Sequence, residues 1–514
     1  MNELPILSIL IALPLLGAVA TAFLPGATAR LVGIAFAGAT LVLAAVTALT
    51  SYDVGGGMQL TETHTWIEAL GVHYALGVDG LGLLMVLLTA LLVPIVLVAS
   101  WREADDEGNG GSSAFVAWTL ALEALSLAVF TATDVFLFYV VFEATLIPAY
   151  FLIGGFGRAG RGRAATKFLI YQLAGGLVML ASVIGLYVVS ADNGTPSFLL
   201  SDLAALDIDE TTQRWLFVGF FIAFAAKAPM FPLHTWLADT TEKATTGTSV
   251  LLVCILDKIG TFGMLRFCLG LLPEASQWAT PVVVVLALIS IIYGALVAIG
   301  QDDVLRLIGL TSLSHFGFIV LGIFVFSSTG GAGAILYMVN HGIATALMFL
   351  VAGFLIRRTG TASIRQMGGV ERTAPVLAGL FLVGGLAAAG LPGLAPFVSE
   401  LMVIIAAFQH HWLVGAVAVL AIVLAAVYAL WMYQRTMTGE GGVDATPVPD
   451  LDRREVGVLA PLVLGLLLFG FYPMPLLDTI NPYVHDTLAQ VGVTDPAPTV
   501  EGTTPHTTTE GGHQ

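Results

Sequence analysis

The 514-residue sequence predicts an all-α polytopic membrane protein of about 14 transmembrane helices. Three observations carry that class. Hydrophobic residues make up 57% of the chain and charged residues 11%, less than half the usual charged share. Mean hydropathy is +0.92, above the range of soluble domains. The 57 glycines suit close packing of helices in lipid. Soluble enzymes, nucleic-acid binders and disulfide scaffolds are thereby excluded as whole-chain readings.

Crossing the hydrocarbon takes about 20 residues at a rise of about 1.5 Å each. By that ruler the spans run approximately 5–24, 30–50, 78–100, 112–132, 134–155, 164–190, 214–237, 247–270, 278–300, 305–327, 330–355, 375–408, 411–436 and 456–478. The first run has Glu3 in place of a basic leader and enough apolar residues to span, so it reads as a retained helix and not a secretory signal. Residues 479–514 are rich in Thr, Gly and Pro, lack Lys and Arg, and read as a mostly disordered tail.

Loop charge supports this count, because Lys and Arg stay on the cytoplasmic side. Of 19 basic residues, 15 follow odd-numbered spans: Arg30, Arg102, Arg158, Arg161, Arg163, Lys167, Lys243, Arg306, Arg357, Arg358, Arg365, Arg372, Arg435, Arg453 and Arg454. The opposite side holds only Arg214 and Arg266. Both termini are therefore expected on the outer side, away from the cytoplasm.

Inside the spans lies a second set of charges. A Lys or Asp at mid-membrane costs about 2.5–3.5 kcal/mol on insertion scales, so such residues face the bundle interior and serve a pathway. Glu143 sits in FYVVFEATLIPAYFLIGG, Lys227 in FIAFAAKAPMFPLHTW, Lys258 in LLVCILDKIGTFGMLRF, His315 in LTSLSHFGFIV, His341 in YMVNHGIATALMF and Glu400 in GLPGLAPFVSELMVI. For the four charged groups the competing explanation is a structural ion pair; for His315 and His341 it is a hydrogen-bonded packing histidine. His234 is balanced between the two readings. Glu123 reads equally as a branch of the pathway or as a lumen-facing group. Asp257 points about 100° away from Lys258, which separates the two side chains.

Two of these spans are broken beside the charge. Pro229 and Pro232 free carbonyls and leave Lys227 at the negative end of a half-helix. Pro392, Gly393 and Pro396 break the twelfth span, and Glu400 is expected in the first turn of its second half, where the positive dipole end favours a carboxylate. Broken helices at matching positions point to inverted repeats formed by spans 4–8 and 9–13. The chain then divides into 1–110 (spans 1–3), 111–270 (first repeat), 271–440 (second repeat), 441–478 (loop and last span) and the tail 479–514.

The remaining signals exclude more than they suggest. A net charge of −16 suits neither nucleic acid nor phosphate. Only Cys254 and Cys268 occur, whereas an iron–sulfur cluster usually needs four thiolates, and no metal or quinone motif is legible. GGFGRAGRG, from Gly154, joins two spans without a preceding strand and is no nucleotide loop.

Together VVFEATLIPAYFLIGGFG, ATKFLIYQLAGGLVML, FFIAFAAKAPMFPLHTWLADTT, GTSVLLVCILDKIGTFGMLRF, LTSLSHFGFI, VNHGIATALMFL and GLPGLAPFVSELMV resemble the antiporter-like subunits of respiratory complex I, over roughly residues 110–480. Glu400, where the L and N members carry a lysine, and the lack of a long lateral helix make the chain similar to the M type, the relative of mitochondrial subunit 4. The resemblance implies a proton-translocating subunit of NADH:quinone oxidoreductase with no redox centre of its own. NADH, FMN, iron–sulfur clusters and quinone would lie on partner subunits, with the L and N subunits as membrane neighbours. It implies an ion pair for Glu143 and Lys227, a central relay for Lys258, connecting roles for His315 and His341, and terminal proton exchange for Glu400. The alternative of the same fold is a subunit of a multisubunit cation/proton antiporter or a membrane-bound hydrogenase. The chain departs from the family at ADTTEKATT, from Ala238, where a stretch like PDAHTEAPT is usual, and at Asp257, an uncommon acid before the relay lysine.

Overall fold

The computed structural model describes residues 4–101, 111–194, 196–439 and 447–495. Helices form where apolar runs exceed the membrane thickness. Among the described residues 11 helices are long and apolar enough to cross a bilayer, from Gly26–Thr50 to Arg453–Phe471. The other three expected spans take shorter forms: Ile6–Ala22 is one helix, while the seventh and twelfth are each two pieces. Glu210–Lys227 and Thr235–Lys243 flank Pro229 and Pro232, and Pro375–Ala388 and Ala395–His410 flank Gly390 and Gly393. Those two glycines adopt left-handed φ of 69° and 92°, a region side chains with a Cβ resist.

Burial sorts the helices into a core and a shell. The apolar windows of Thr246–Leu269 and Val304–Phe324 are wholly buried, and that of Ser328–Thr359 nearly so. Arg161–Asp192, Pro273–Ile299, Trp412–Met437 and Arg453–Phe471 surround them and expose Val, Leu and Ile, among them Val282, Val423 and Leu464. Lipid is the solvent for such faces. The three central helices therefore carry Lys258, His315 and His341 where neither lipid nor bulk water reaches.

Side-chain caps fix where helices start. Asp134 Oδ1 accepts from the N–H groups of Phe136 and Leu137, both at 2.9 Å, and Oδ2 accepts from His73 N–H at 2.8 Å. That second bond anchors a feature hydropathy leaves unassigned. Gln59–Ile67 and Val72–Val78 pair as an antiparallel hairpin, with Gln59 opposite Val78 and Ile67 opposite Val72.

The expected tail from 479 is corrected over its first part. Met474–Val491 is a helix, with Leu476, Ile480, Val484, Leu488 and Val491 buried. Their spacing near four residues makes one apolar stripe, which packs against Ser328–Thr359 and Gly80–Ala99. The polar opposite face lowers the mean hydropathy, so a composition average merges this helix with the Thr- and Gly-rich sequence after it. Residues 496–514 of the expected tail, and Arg102 of the loop charges, lie outside the described residues.

Candidate functional site

Lys227 ends the half-helix Glu210–Lys227 and is fully buried, at the negative terminus its sequence predicts. Its Nζ donates to Thr145 Oγ1 at 3.1 Å and lies 4.4 Å from the Phe142 ring centre. Phe142 and Thr145 flank Glu143, yet no direct ion pair joins Lys227 to Glu143; the Thr145 hydroxyl takes the ammonium instead. Glu143 Oε1 is buried without a protein partner, in space that Gly176 leaves open, since a Cβ there would overlap the carboxylate. The break is braced as well: Ala226 O accepts from Trp236 Nε1 at 3.0 Å and from Gln172 Nε2 at 3.2 Å.

Lys258 occupies the single α-turn between two π-helical segments, Leu252–Leu256 and Met264–Leu269. Such segments widen a helix and often mark functional sites. Lys258 Nζ lies 2.7 Å from Val253 O and 2.7 Å from His341 Nδ1. The His341 and His315 rings meet edge to face at 5.2 Å, and His341 Nε2 and His315 Nδ1 are both buried with no protein partner. His315 Nε2 is 3.1 Å from the Tyr428 hydroxyl and 3.2 Å from Ala388 O. Tyr337, whose ring is 5.9 Å from that of His315, donates to Glu400 Oε1 at 2.5 Å. Four of the six sequence candidates thus form one buried line: Lys258, His341, His315 and, across Tyr337, Glu400.

The position of Glu400 departs from expectation. Its helix begins at Ala395, so Glu400 lies in the second turn and the first turn holds no acid. The helix dipole acts mainly within the first turn, and the Tyr337 hydroxyl is what stabilises the carboxylate here. Gly390, at φ 69°, leaves room for its other oxygen. Tyr337, Tyr428 and Thr145 escaped the sequence reading because a hydroxyl in an apolar run lowers hydropathy much less than a charge does; the one signal was Tyr337 lying a helical turn before His341. His234 is packed between Phe231 and Tyr293, at 5.9 and 5.1 Å, away from this line. Glu123 is buried with both oxygens lacking a protein partner, and Asp257 likewise. Asp257 makes no direct contact with Lys258, as the angular offset between neighbours requires.

Cys254 and Cys268 are buried, free and on one helix, and no group of three or more His, Cys, Asp or Glu among the described residues could hold a metal ion.

Comparison with known proteins places this arrangement. The family model for the transmembrane region of NADH:quinone oxidoreductase and Mrp antiporters matches residues 132–425. NADH-quinone oxidoreductase subunit M of Mycobacterium tuberculosis (strain CDC 1551 / Oshkosh) is 48% identical, with 97% of each chain covered. NADH-ubiquinone oxidoreductase chain 4 of Arabidopsis thaliana is 35% identical over 93% of this chain and 96% of its own. A chain of respiratory complex I from Thermus thermophilus with bound NADH superposes with TM-score 0.87 at 34% identity, covering 95% of this chain and all of that one. A chain of the Mrp complex from Dietzia sp. DQ12-45-1b shares the fold, with TM-score 0.81 at 22% identity over 96% of this chain and all of that one. With its broken helices, its line of buried ionisable groups and relatives of this identity along nearly its whole length, the chain belongs to the NADH:quinone oxidoreductase/Mrp antiporter transmembrane family, beside the subunit M proteins.

Proposed function

We propose that this chain is a proton-translocating membrane subunit of an NADH:quinone oxidoreductase. It sits in a bacterial plasma membrane with fourteen crossings, both termini outward and two inverted repeats. Its membrane neighbours are the antiporter-like L and N subunits. NADH, FMN, iron–sulfur clusters and quinone belong to partner subunits, whose redox chemistry drives the protons; the two buried cysteines here do not fit a cluster that needs four thiolates.

The observation that supports this best is the 2.7 Å approach of Lys258 Nζ to His341 Nδ1 inside wholly buried helices. An ammonium there donates its proton to the imidazole, leaving a neutral amine ready to accept another. The next transfer runs from His341 Nε2 to His315 Nδ1. Both atoms lack protein partners, and one water between them would satisfy both. From His315 the path divides toward the Tyr428 hydroxyl and the Tyr337–Glu400 pair. Glu143 and Lys227 supply the proton-loading end in the first repeat.

Lys258→Arg tests the reading, because arginine keeps the charge but does not release its proton at physiological pH. In sealed membranes the variant complex is expected to assemble and to pump far fewer protons per NADH oxidised. Wild-type pumping would overturn the relay and reduce Lys258 to a fixed charge.

A further inference from the structure

The line of groups has a gap between its two lysines. The Lys227 ammonium is held by Thr145, and that of Lys258 by Val253 and His341, so neither reaches the other. Asp257 is placed to join them. Gly260 lies one turn further along the same helical face, and that face packs on the backbone of the half-helix ending in Lys227: a Cβ on Gly260 would overlap Ala228 N. Asp257 therefore faces the Lys227 half-helix, while Lys258, about 100° round the helix, faces His341. The Asp257 N–H bonds to Leu252 O at 2.9 Å, five residues back, so the helix is widened at this residue.

The carboxylate itself has no structural employment. Asp257 is fully buried, and both of its oxygens lack a hydrogen-bond partner. A buried polar group left unbonded costs free energy, so one retained without protein partners calls for another explanation. A packing role is served by an apolar side chain, and an ion-pair role by direct contact.

We propose that Asp257 is a proton carrier between Lys227 and Lys258, an additional step on the path of the preceding subsection, on which it rests. The Lys227 ammonium transfers a proton to the Asp257 carboxylate, giving a neutral amine and a carboxylic acid. The acid then transfers that proton to the neutral Lys258 amine, restoring the carboxylate and forming the ammonium that faces His341. One proton moves and no net charge is created. Each transfer needs a bridging water or a side-chain turn, since neither carboxylate oxygen is within hydrogen-bond distance of a protein donor.

The test compares Asp257→Asn, Asp257→Leu and Asp257→Glu in the intact complex in sealed membranes, with Lys258→Ala as reference. Protons pumped per NADH and assembly are measured together. Asn and Leu are expected to lower pumping about tenfold or more, the scale of a lost acid–base group, and Glu to restore most of it. Should Asn hinder assembly, the Leu and Glu pair decides, since Leu removes the buried polar group altogether. Wild-type pumping in Asn or Leu, or a Glu variant as poor as Leu, would overturn the carrier role while leaving the main path intact if Lys258→Ala still blocks it. Wild-type pumping in Lys258→Ala would instead overturn the path as a whole.

Discussion

The two broken helices solve one problem with opposite charges. In both, the break leaves carbonyls without helical partners, and side chains from neighbouring helices take them: Trp236 and Gln172 bond Ala226 O in the first, while His315 and Tyr428 approach Ala388 O in the second. The difference lies in how the charge is held. Lys227 is the terminal residue of its half-helix, where the dipole favours a cation. Glu400 lies past the first turn and depends on one hydroxyl, that of Tyr337. The first site adds the polarity of a helix end to the Thr145 hydroxyl, while the second rests on a side chain alone. A carboxylate bound by a single rotatable donor changes partner more readily than an ammonium at a helix end, so Glu400 is the freer of the two to turn toward a new partner, while Lys227 exchanges its proton from a fixed place.

The largest effect should come from removing either charge. If the two halves act in series, Lys227→Ala and Glu400→Gln each abolish most NADH-driven pumping with the complex assembled. Glu400→Asp keeps part of it, because a titratable carboxyl remains. Full pumping in Glu400→Gln would break the comparison, leaving the second break as structure alone; proton output per NADH in sealed vesicles decides.

A smaller effect separates the two modes of stabilisation. Tyr337→Phe removes the donor on which Glu400 depends, at a cost of about 1–3 kcal/mol for an unmet buried acceptor, and should slow turnover severalfold or more. Thr145→Val removes the hydroxyl that accepts from Lys227 but leaves the helix terminus and the Phe142 ring, so its effect should be smaller. Equal losses in the two variants would mean that backbone polarity contributes little at Lys227. Turnover and proton output measured side by side distinguish these outcomes.

How much of this was legible in the sequence follows from what hydropathy measures. Ionisable groups stand out against apolar runs, so the six candidates could be named from the sequence, and the structure joins four of them in one line; prolines announced both breaks. Hydroxyls do not stand out, so Tyr337, Tyr428 and Thr145 became visible only in three dimensions. The dipole argument held for Lys227 and failed for Glu400 because the second half-helix starts at Ala395, and start positions move by a residue or two with local capping. The hairpin and Met474–Val491 were missed because each buries only one face, which halves the apolar signal.

The smallest expected effect concerns how the two half-helices are started. Glu210–Lys227 is capped locally: Asp209 Oδ1 accepts from Thr212 N–H at 3.1 Å. Pro375–Ala388 is capped from afar, by Asp450, whose oxygens accept from the N–H groups of Val376 and Leu377, both at 2.9 Å. Burial raises the Asp450 pKa, but bonds from Val376, Leu377 and Leu451 and the charge of Arg358 outweigh it and hold the carboxyl below its ordinary 3.8. A depressed carboxylate adds stability that is present above the ordinary value and is lost as pH falls through the lowered one. Asp450→Ala should therefore lower the thermal midpoint of the detergent-solubilised complex at neutral pH, by an amount set by a partly exposed cap of at most about 1 kcal/mol. As pH falls below the ordinary value and through the lowered one, where the wild-type carboxyl also takes up its proton, the gap between variant and wild type should narrow. Asp209→Ala should shift the midpoint less, because its cap is exposed and joins only neighbours in sequence, whereas Asp450 ties the start of Pro375–Ala388 to a loop 73 residues away. A larger shift for Asp209 would show that the remote cap is redundant, and that Pro375–Ala388 is positioned by its packing against neighbours such as Ser328–Thr359 and Trp412–Met437.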